Sequence, residues 1–257
     1  MKLTIKGQII LALCISIAFA SCKGKGKSEE KETTTDTTKM TEVTTTNTAD
    51  MDAAKVAPNL YKVVADTLGI RIMDVNYKPG DSSAMHWHPD YALLTLEGGT
   101  ATFYGKDGSK MENEMKSGLT MIKLGEFHSV KNSGKTNIHV VLVEVNRTGQ
   151  ATSPDAATDA TKVAPEEYKL KNDTLGIRVI EFSYKPGQKS VMHSHPDLAL
   201  YALSDASAEF TKKDGTKQVM NLKKGMAAVT PADTHSVKNI GKATMKGILV
   251  EVYRSMK

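Results

Sequence analysis

The sequence MHWHPD at Met85–Asp90 returns 107 residues later as MHSHPD at Met192–Asp197. In a β-strand the side chains of residues i and i+2 project to the same face, so each segment presents two imidazoles about 7 Å apart along the chain. A third histidine, His128 or His235, follows 40 residues after the second one in each copy. Six of the seven histidines of the chain belong to these two sets, and this pattern predicts metal binding.

The same offset relates the surrounding sequence without any insertion. It carries Val56–Pro58 to Val163–Pro165, Asp66–Arg71 to Asp173–Arg178 and Tyr77–Gly80 to Tyr184–Gly187. A tandem duplication explains this, and each unit is long enough to bury its own core. The alternative interpretation is that the histidines bind no metal and were simply copied together with the rest of the unit. However, about half of the aligned positions differ, whereas all three histidines are present in both copies.

The local patterns within each unit are typical of β-strands. Ile70–Val75 and Ile138–Val145 are rich in β-branched residues, and Lys106–Ser109 has the composition of a turn. No long segment shows the 3.6-residue period of an amphipathic helix. Many short strands separated by Gly, Pro, Asp and Asn predict an all-β sandwich or small barrel.

Both units resemble the cupin superfamily over residues 56–147 and 163–254. In the first unit the residues that match its two motifs are Gly80, His86, His88, Leu96, Glu97 and Gly98, followed by Gly118, Gly125, His128 and Asn132. In the second they are Gly187, His193, His195, Gly225, Pro231, His235 and Asn239. The resemblance implies a bicupin, in which two tandem double-stranded β-helix (jelly-roll) barrels each hold a metal ion. The MHxHPD sequence is similar to small cupins such as the β-alanine-degradation type.

The chain departs from the family where many metal cupins carry a glutamate ligand, because Ala92-Leu93 and Ala199-Leu200 stand there. A site of three histidines in each barrel is therefore expected. The ligands are His86, His88 and His128 in the first barrel, and His193, His195 and His235 in the second. Three imidazoles suit Fe, Mn, Ni, Cu or Zn, and the general order of affinities favours copper or zinc over iron. The sequence does not identify the metal.

Several other polar residues near the histidines have two readings. Asp90 and Asp197 are candidates for a fourth ligand or for a hydrogen bond that orients an imidazole, although an Asp after Pro is also a common turn residue. We expect Glu144 and Glu251 to pair with an arginine. The candidate partners are Arg147 and Arg254, or Arg71 and Arg178. We expect Tyr91 to pack in the barrel wall and His139 to face solvent.

The N-terminus has the pattern of an export signal. Lys2 and Lys6 precede an apolar run, Ile9–Ala20, which is shorter than the about 20 residues of a membrane-spanning helix. The run ends at Ser21-Cys22 and resembles a bacterial lipoprotein signal, in which Cys22 is lipidated; ordinary secretion is the alternative. The predicted organisation is a signal peptide at 1–21, a disordered tether at 22–54, cupin domain 1 at 55–147, a linker at 148–162 and cupin domain 2 at 163–257.

Composition narrows the function further. The chain has 34 basic and 29 acidic residues in scattered positions, which does not favour a nucleic-acid partner. Cys14 and Cys22 are its only cysteines, so the folded part has neither a disulfide nor a thiolate ligand. We expect an envelope protein that is anchored to the membrane through a lipid on Cys22, on the periplasmic side or at the cell surface, and that binds a divalent metal and a small molecule. A metal-dependent enzyme, a non-enzymatic ligand-binding module and a scaffolding lipoprotein all fit; substrate and oligomeric state stay open.

Overall fold

The computed structural model describes residues 47–257, which belong to one compact unit. The predicted signal peptide, the lipidation site Cys22 and most of the tether lie outside the described residues. None of the helices in the described part of the chain has the length and apolarity needed to cross a membrane.

Nearly all regular structure in this part is β-strand, as predicted. The first barrel contains β1 (Tyr61–Thr67), β2 (Ile70–Tyr77), β3 (His86–His88), β4 (Tyr91–Glu97), β5 (Gly99–Gly105), β6 (Lys110–Met115), β7 (Thr120–Lys123), β8 (Glu126–Asn132) and β9 (Ile138–Val145). The second contains β10 (Tyr168–Thr174), β11 (Ile177–Tyr184), β12 (His193–His195), β13 (Leu198–Ala202), β14 (Ala206–Lys212), β15 (Lys217–Leu222), β16 (Ala227–Thr230), β17 (Asp233–Asn239) and β18 (Met245–Val252). The helices are a 3-10 turn at Thr48–Met51, α1 (Ala53–Val56) and α2 (Ala160–Val163).

Each barrel is made of two antiparallel sheets. The five-stranded sheet has the order β1-β2-β9-β4-β7 and the four-stranded sheet the order β3-β8-β5-β6. The second barrel repeats this as β10-β11-β18-β13-β16 and β12-β17-β14-β15. Inward-facing side chains of both sheets form the core of each barrel, among them Met73 and Val130 in the first and Ile180 and Val237 in the second. This is the tandem double-stranded β-helix fold that the sequence predicted.

The two five-stranded sheets pack against each other through a shared apolar core. Ile72, Leu94 and Val143 of the first barrel belong to the same cluster as Val179 and Val250 of the second. As a result, β9 and β18 are buried on both faces, which explains their nearly continuous apolar sequence.

Reciprocal ion pairs also join the barrels. The guanidinium of Arg147 lies 2.5 Å from Asp197 Oδ2, and that of Arg254 lies 2.7 Å from Asp90 Oδ2. Arg147 Nε also donates to the carbonyl oxygen of Leu68, which adopts a positive φ of 53°. The duplication thus produces an approximately two-fold arrangement, in which each copy supplies one acid and one arginine.

Order begins earlier than the composition indicated. The predicted tether ended at residue 54, but the 3-10 turn and α1 are ordered, and Asp52 lies 2.6 Å from Arg71. The last part of the predicted linker is also ordered, because Asp159 is 4% exposed and pairs with Arg178 at 3.2 Å. Both aspartates also cap the helix that follows them, a role which composition does not reveal.

Candidate metal centres

Three histidines meet inside the first barrel. His86 and His88 come from β3, and His128 comes from the neighbouring strand β8, directly opposite His86 in the register. The ring centroids lie 4.8 Å apart for His86–His88, 4.8 Å for His86–His128 and 5.1 Å for His88–His128. All three are buried, with possible ligand atoms within 4.8 Å of one another, a spacing that a metal ion can bridge.

Hydrogen bonds fix the tautomers of two of these imidazoles. His86 Nδ1 donates to the carbonyl oxygen of Ala84 at 2.8 Å, and His88 Nδ1 donates to Glu144 Oε1 at 2.6 Å. Because Nδ1 carries the proton, Nε2 of each ring keeps its lone pair. Both Nε2 atoms are buried, and no group in residues 47–257 hydrogen-bonds to them. A metal ion fits this arrangement, since it would supply the missing partner.

The imidazoles of His86 and His88 are neutral. Burial, together with the neighbouring histidines, lowers the pKa of each to about 3. A metal ligand must be unprotonated, so burial leaves both rings ready to bind.

Glu144 links the histidines to a chain of charges. Its Oε2 accepts from Arg71 Nε at 2.7 Å, and Arg71 in turn pairs with Asp52. Burial raises the pKa of Glu144 to about 7, although the Arg71 charge opposes this. Of the two predicted arginine partners, the structure selects Arg71. The bond to His88 was not predicted; the available signal was a glutamate within an otherwise apolar strand in both copies.

The second barrel repeats the arrangement. His193, His195 and His235 have ring centroids 4.9 to 5.5 Å apart. His193 Nδ1 donates to the Val191 carbonyl at 2.8 Å, and His195 Nδ1 donates to Glu251 Oε1 at 2.6 Å. Burial lowers the pKa of His193 to about 3.

One contact distinguishes the second triad from the first. The Tyr184 hydroxyl donates to that of Tyr168 at 2.8 Å, and Tyr168 donates to His193 Nε2 at 3.0 Å. A metal ion on this nitrogen therefore requires the Tyr168 hydroxyl to turn away. The equivalent tyrosines of the first barrel, Tyr61 and Tyr77, bond to each other at 2.9 Å.

Asp90 and Asp197 are not part of either histidine group, so of the two interpretations of these residues the structure does not show the ligand or orienting role. Asp90 Oδ1 accepts from the Gly125 backbone N–H at 2.7 Å, and its other oxygen binds Arg254. Asp197 makes the same contacts with Ala232 and Arg147. Because the chain turns out of the strand at the preceding proline, these carboxylates face the neighbouring turn and the other barrel. Glu144 and Glu251 perform the orienting role instead.

Tyr91, Trp87 and His139 lie on strands of the first barrel. Tyr91 is 2% exposed and its hydroxyl donates to Glu126 Oε1 at 2.7 Å, in agreement with barrel-wall packing. Trp87 points away from the histidine face and packs on Phe127, with ring centroids 4.7 Å apart. His139 is only half-buried and pairs with Asp74, outside the triads.

Comparisons with known proteins agree with this architecture. No protein-family profile matches the sequence, and no curated protein matches it. Among solved structures, Bacillus subtilis oxalate decarboxylase at pH 4.6 is similar over 74% of this chain and 69% of that chain, with 14% identity and a TM-score of 0.54. A structure concerned with the Mn(II) centres of the same protein is similar over 74% and 71%, with 14% identity and a TM-score of 0.54. At this identity the likeness concerns the fold alone, an arrangement of two tandem double-stranded β-helix barrels.

Proposed function

We propose that this protein binds a divalent transition-metal ion in each barrel through three histidines, and that a small molecule binds beside the metal. The observation that carries the proposal is the pair of tautomers in the first barrel. His86 and His88 donate their Nδ1 protons to fixed protein acceptors, and their buried Nε2 lone pairs have no partner in residues 47–257. Burying two such nitrogens without a partner is unfavourable, whereas a metal ion satisfies both.

The protein's own contribution is to position and desolvate the ligands. Glu144, held by Arg71, fixes the orientation of His88, and the Ala84 carbonyl fixes that of His86. The barrel walls exclude bulk water from all three rings. When bound, a metal with three protein ligands and open coordination positions supplies Lewis acidity to a small molecule.

Manganese is the first metal to test, because the structurally similar oxalate decarboxylase has Mn(II) centres. Neutral imidazoles also accept Fe, Ni, Cu and Zn, and affinity order alone would favour Cu or Zn. We therefore propose a divalent transition metal and leave its identity to measurement.

We propose a metal-dependent enzyme as the first candidate and a non-enzymatic ligand-binding module as the second. One observation favours the second candidate. In the first barrel, Glu144 is held by Arg71 and His88, and Glu126 is held by Lys123 at 2.5 Å and by Tyr91. Neither carboxylate is free to act as a general base. Turnover of a small molecule by the metal-loaded chain would decide for the enzyme, and binding without turnover would decide for the module.

Metal content per chain tests the central proposal. The full chain, purified without a metal-binding tag, should contain about two equivalents when both sites are filled. Changing His86 and His88 to alanine should remove one equivalent, and changing His193 and His195 to alanine should remove the other. His139→Ala is the matched control, because this histidine lies outside both triads and should not change the metal content. Failure to bind Mn, Fe, Ni, Cu or Zn after reconstitution would refute the proposal.

We further propose that the protein is exported and anchored to the cell envelope through a lipid on Cys22. The support is the sequence pattern that ends at Ser21-Cys22. Partition of the expressed protein into a detergent phase, lost in Cys22→Ala, tests this directly. A wild-type protein that stays in the aqueous phase would contradict it.

A further inference from the structure

The second barrel contains a cavity of 310 Å³ that reaches its histidines. Its inner wall is apolar and includes Phe182, Leu200, Leu222, Met245 and Leu249. An apolar protein cavity of about 150 Å³ is known to hold benzene, so this one has room for an aromatic ring with a short substituent. His195 and His235 also line the cavity, which places its contents beside the second triad.

At three of the positions that line this cavity, the first barrel carries larger side chains. Leu198, Ala228 and Thr230, which line the cavity of the second barrel, correspond to Tyr91, Met121 and Lys123 in the first. In the first barrel, Tyr91 and Lys123 both bind Glu126, at 2.7 Å and 2.5 Å. This network crosses the space beside His128, which lies 3.3 Å from Glu126. At these positions the first barrel thus has bulky, mutually bonded side chains, whereas the second has smaller ones.

The outer end of the cavity is polar and has a positive charge close to the triad. Lys212 lies directly opposite His235 in the strand register, where the first barrel has Gly105 opposite His128. Lys212 and His195 line both the cavity and a wider opening of 480 Å³ to solvent. None of the ion pairs found in residues 47–257 involves Lys212. Its ammonium group shares this opening with the side chain of Lys213 and with the carboxylates of Asp214 and Asp233.

We propose that the second barrel is the ligand-binding barrel, and that its ligand is a small monocarboxylate with an aromatic or branched apolar body. The apolar body fills the inner cavity, and the carboxylate lies at the outer end, between Lys212 and the triad. The inference rests on the proposed function in one respect. A divalent metal bound to the three histidines adds positive charge at the same end of the cavity, which favours an anion there.

Phenylacetate is a suitable probe, with phenylacetamide as its neutral counterpart and acetate as the carboxylate without the ring. Calorimetric titration of the metal-loaded full chain should show one equivalent of phenylacetate, bound about tenfold or more tightly than either control, because both the charge and the apolar body contribute. Leu198→Tyr and Ala228→Met install the first barrel's side chains in the cavity, and each should weaken binding about tenfold or more through lost space. Lys212→Gly should weaken phenylacetate binding about tenfold and leave phenylacetamide unchanged.

Lys246→His is the matched control, since it installs the first barrel's residue at an exposed lysine of the same barrel and should not change binding. Melting temperatures of all variants show whether each remains folded. The inference would be overturned if phenylacetate bound no better than acetate, or if the folded cavity variants bound it as well as the wild type. A chain that binds two metal equivalents but does not bind phenylacetate would refute this inference and leave the proposed metal binding intact. A chain that takes up no metal but binds phenylacetate in a Leu198-dependent way would support the cavity and refute the proposed metal function.

Discussion

Replacing Glu144 with glutamine should weaken metal binding in the first barrel and leave the second barrel unchanged. In the native chain this carboxylate accepts from His88 Nδ1 at 2.6 Å and from Arg71 Nε at 2.7 Å. A glutamine has one oxygen and one NH₂ group, so it can satisfy only one of these donors. If its oxygen faces His88, its NH₂ opposes the Arg71 guanidinium.

The magnitude follows from these contacts. One charge-assisted hydrogen bond is lost, worth ~1.5–3 kcal/mol when the partners are buried. Arg71 keeps its contact with Asp52 at 2.6 Å, which limits the loss to the lower part of that range. Loss of a group that orients a metal-bound histidine typically lowers metal affinity about 10- to 100-fold. We therefore expect the affinity of the first site to fall by about tenfold.

The assay is competition for metal between the full chain and a chromophoric chelator, with Glu251→Gln as the mirror variant for the second barrel. Each variant should weaken one site of the two. Thermal unfolding of the metal-free chain separates an effect on the site from a loss of folding. If Glu144→Gln folds normally and its first site keeps an affinity within about twofold of the wild type, then the bond between Glu144 and His88 does not position the ligand.

Three further outcomes are expected. Asp197→Ala should lower the free energy of unfolding by ~1–3 kcal/mol, because it leaves the buried Arg147 without its ion-pair partner in the other barrel; an unchanged denaturation midpoint would contradict this. Gly247→Ala should destabilise the second barrel by ~1–3 kcal/mol, since an added Cβ lies 2.3 Å from Phe182 Cζ, and Phe182→Val in the same chain should restore part of the loss. Because burial lowers the pKa of His86 from 6.5 to about 3, the unfolded state binds more protons than the folded state in this interval. The metal-free chain should therefore lose stability as the pH falls from 6.5 toward 3, and equal unfolding free energies at pH 7 and pH 4 would refute this.

The histidine pair in each triad could be predicted because it depends on short-range geometry. Two histidines at i and i+2 share a face in any regular strand, so His86 and His88 had to point the same way once that segment was a strand. The second copy, with His193 and His195, made an accidental pattern improbable. The location of the third histidine beside them came from the resemblance to cupins, and the register between β3 and β8 bears it out.

The orienting carboxylate could not be predicted in the same way. Asp90 lies two residues from His88 in sequence, but its side chain crosses to Arg254 of the other barrel. Glu144 lies 56 residues from His88, yet it accepts the Nδ1 proton. Distance along the chain is a poor guide here, because β9 and β3 belong to different sheets and meet only when the barrel closes.

Local pattern was thus enough to establish the duplication, the all-β class and the two histidine pairs, since alternation along a strand and repetition of sequence are properties of the sequence itself. The resemblance to cupins added the third histidine of each group. The packing of the sheets decided which acids face the imidazoles, which ones join the barrels, and where a cavity lined by Leu198 and Ala228 lies beside the second triad. These features depend on contacts between strands far apart in sequence. Such contacts form only when the chain closes large loops between those strands.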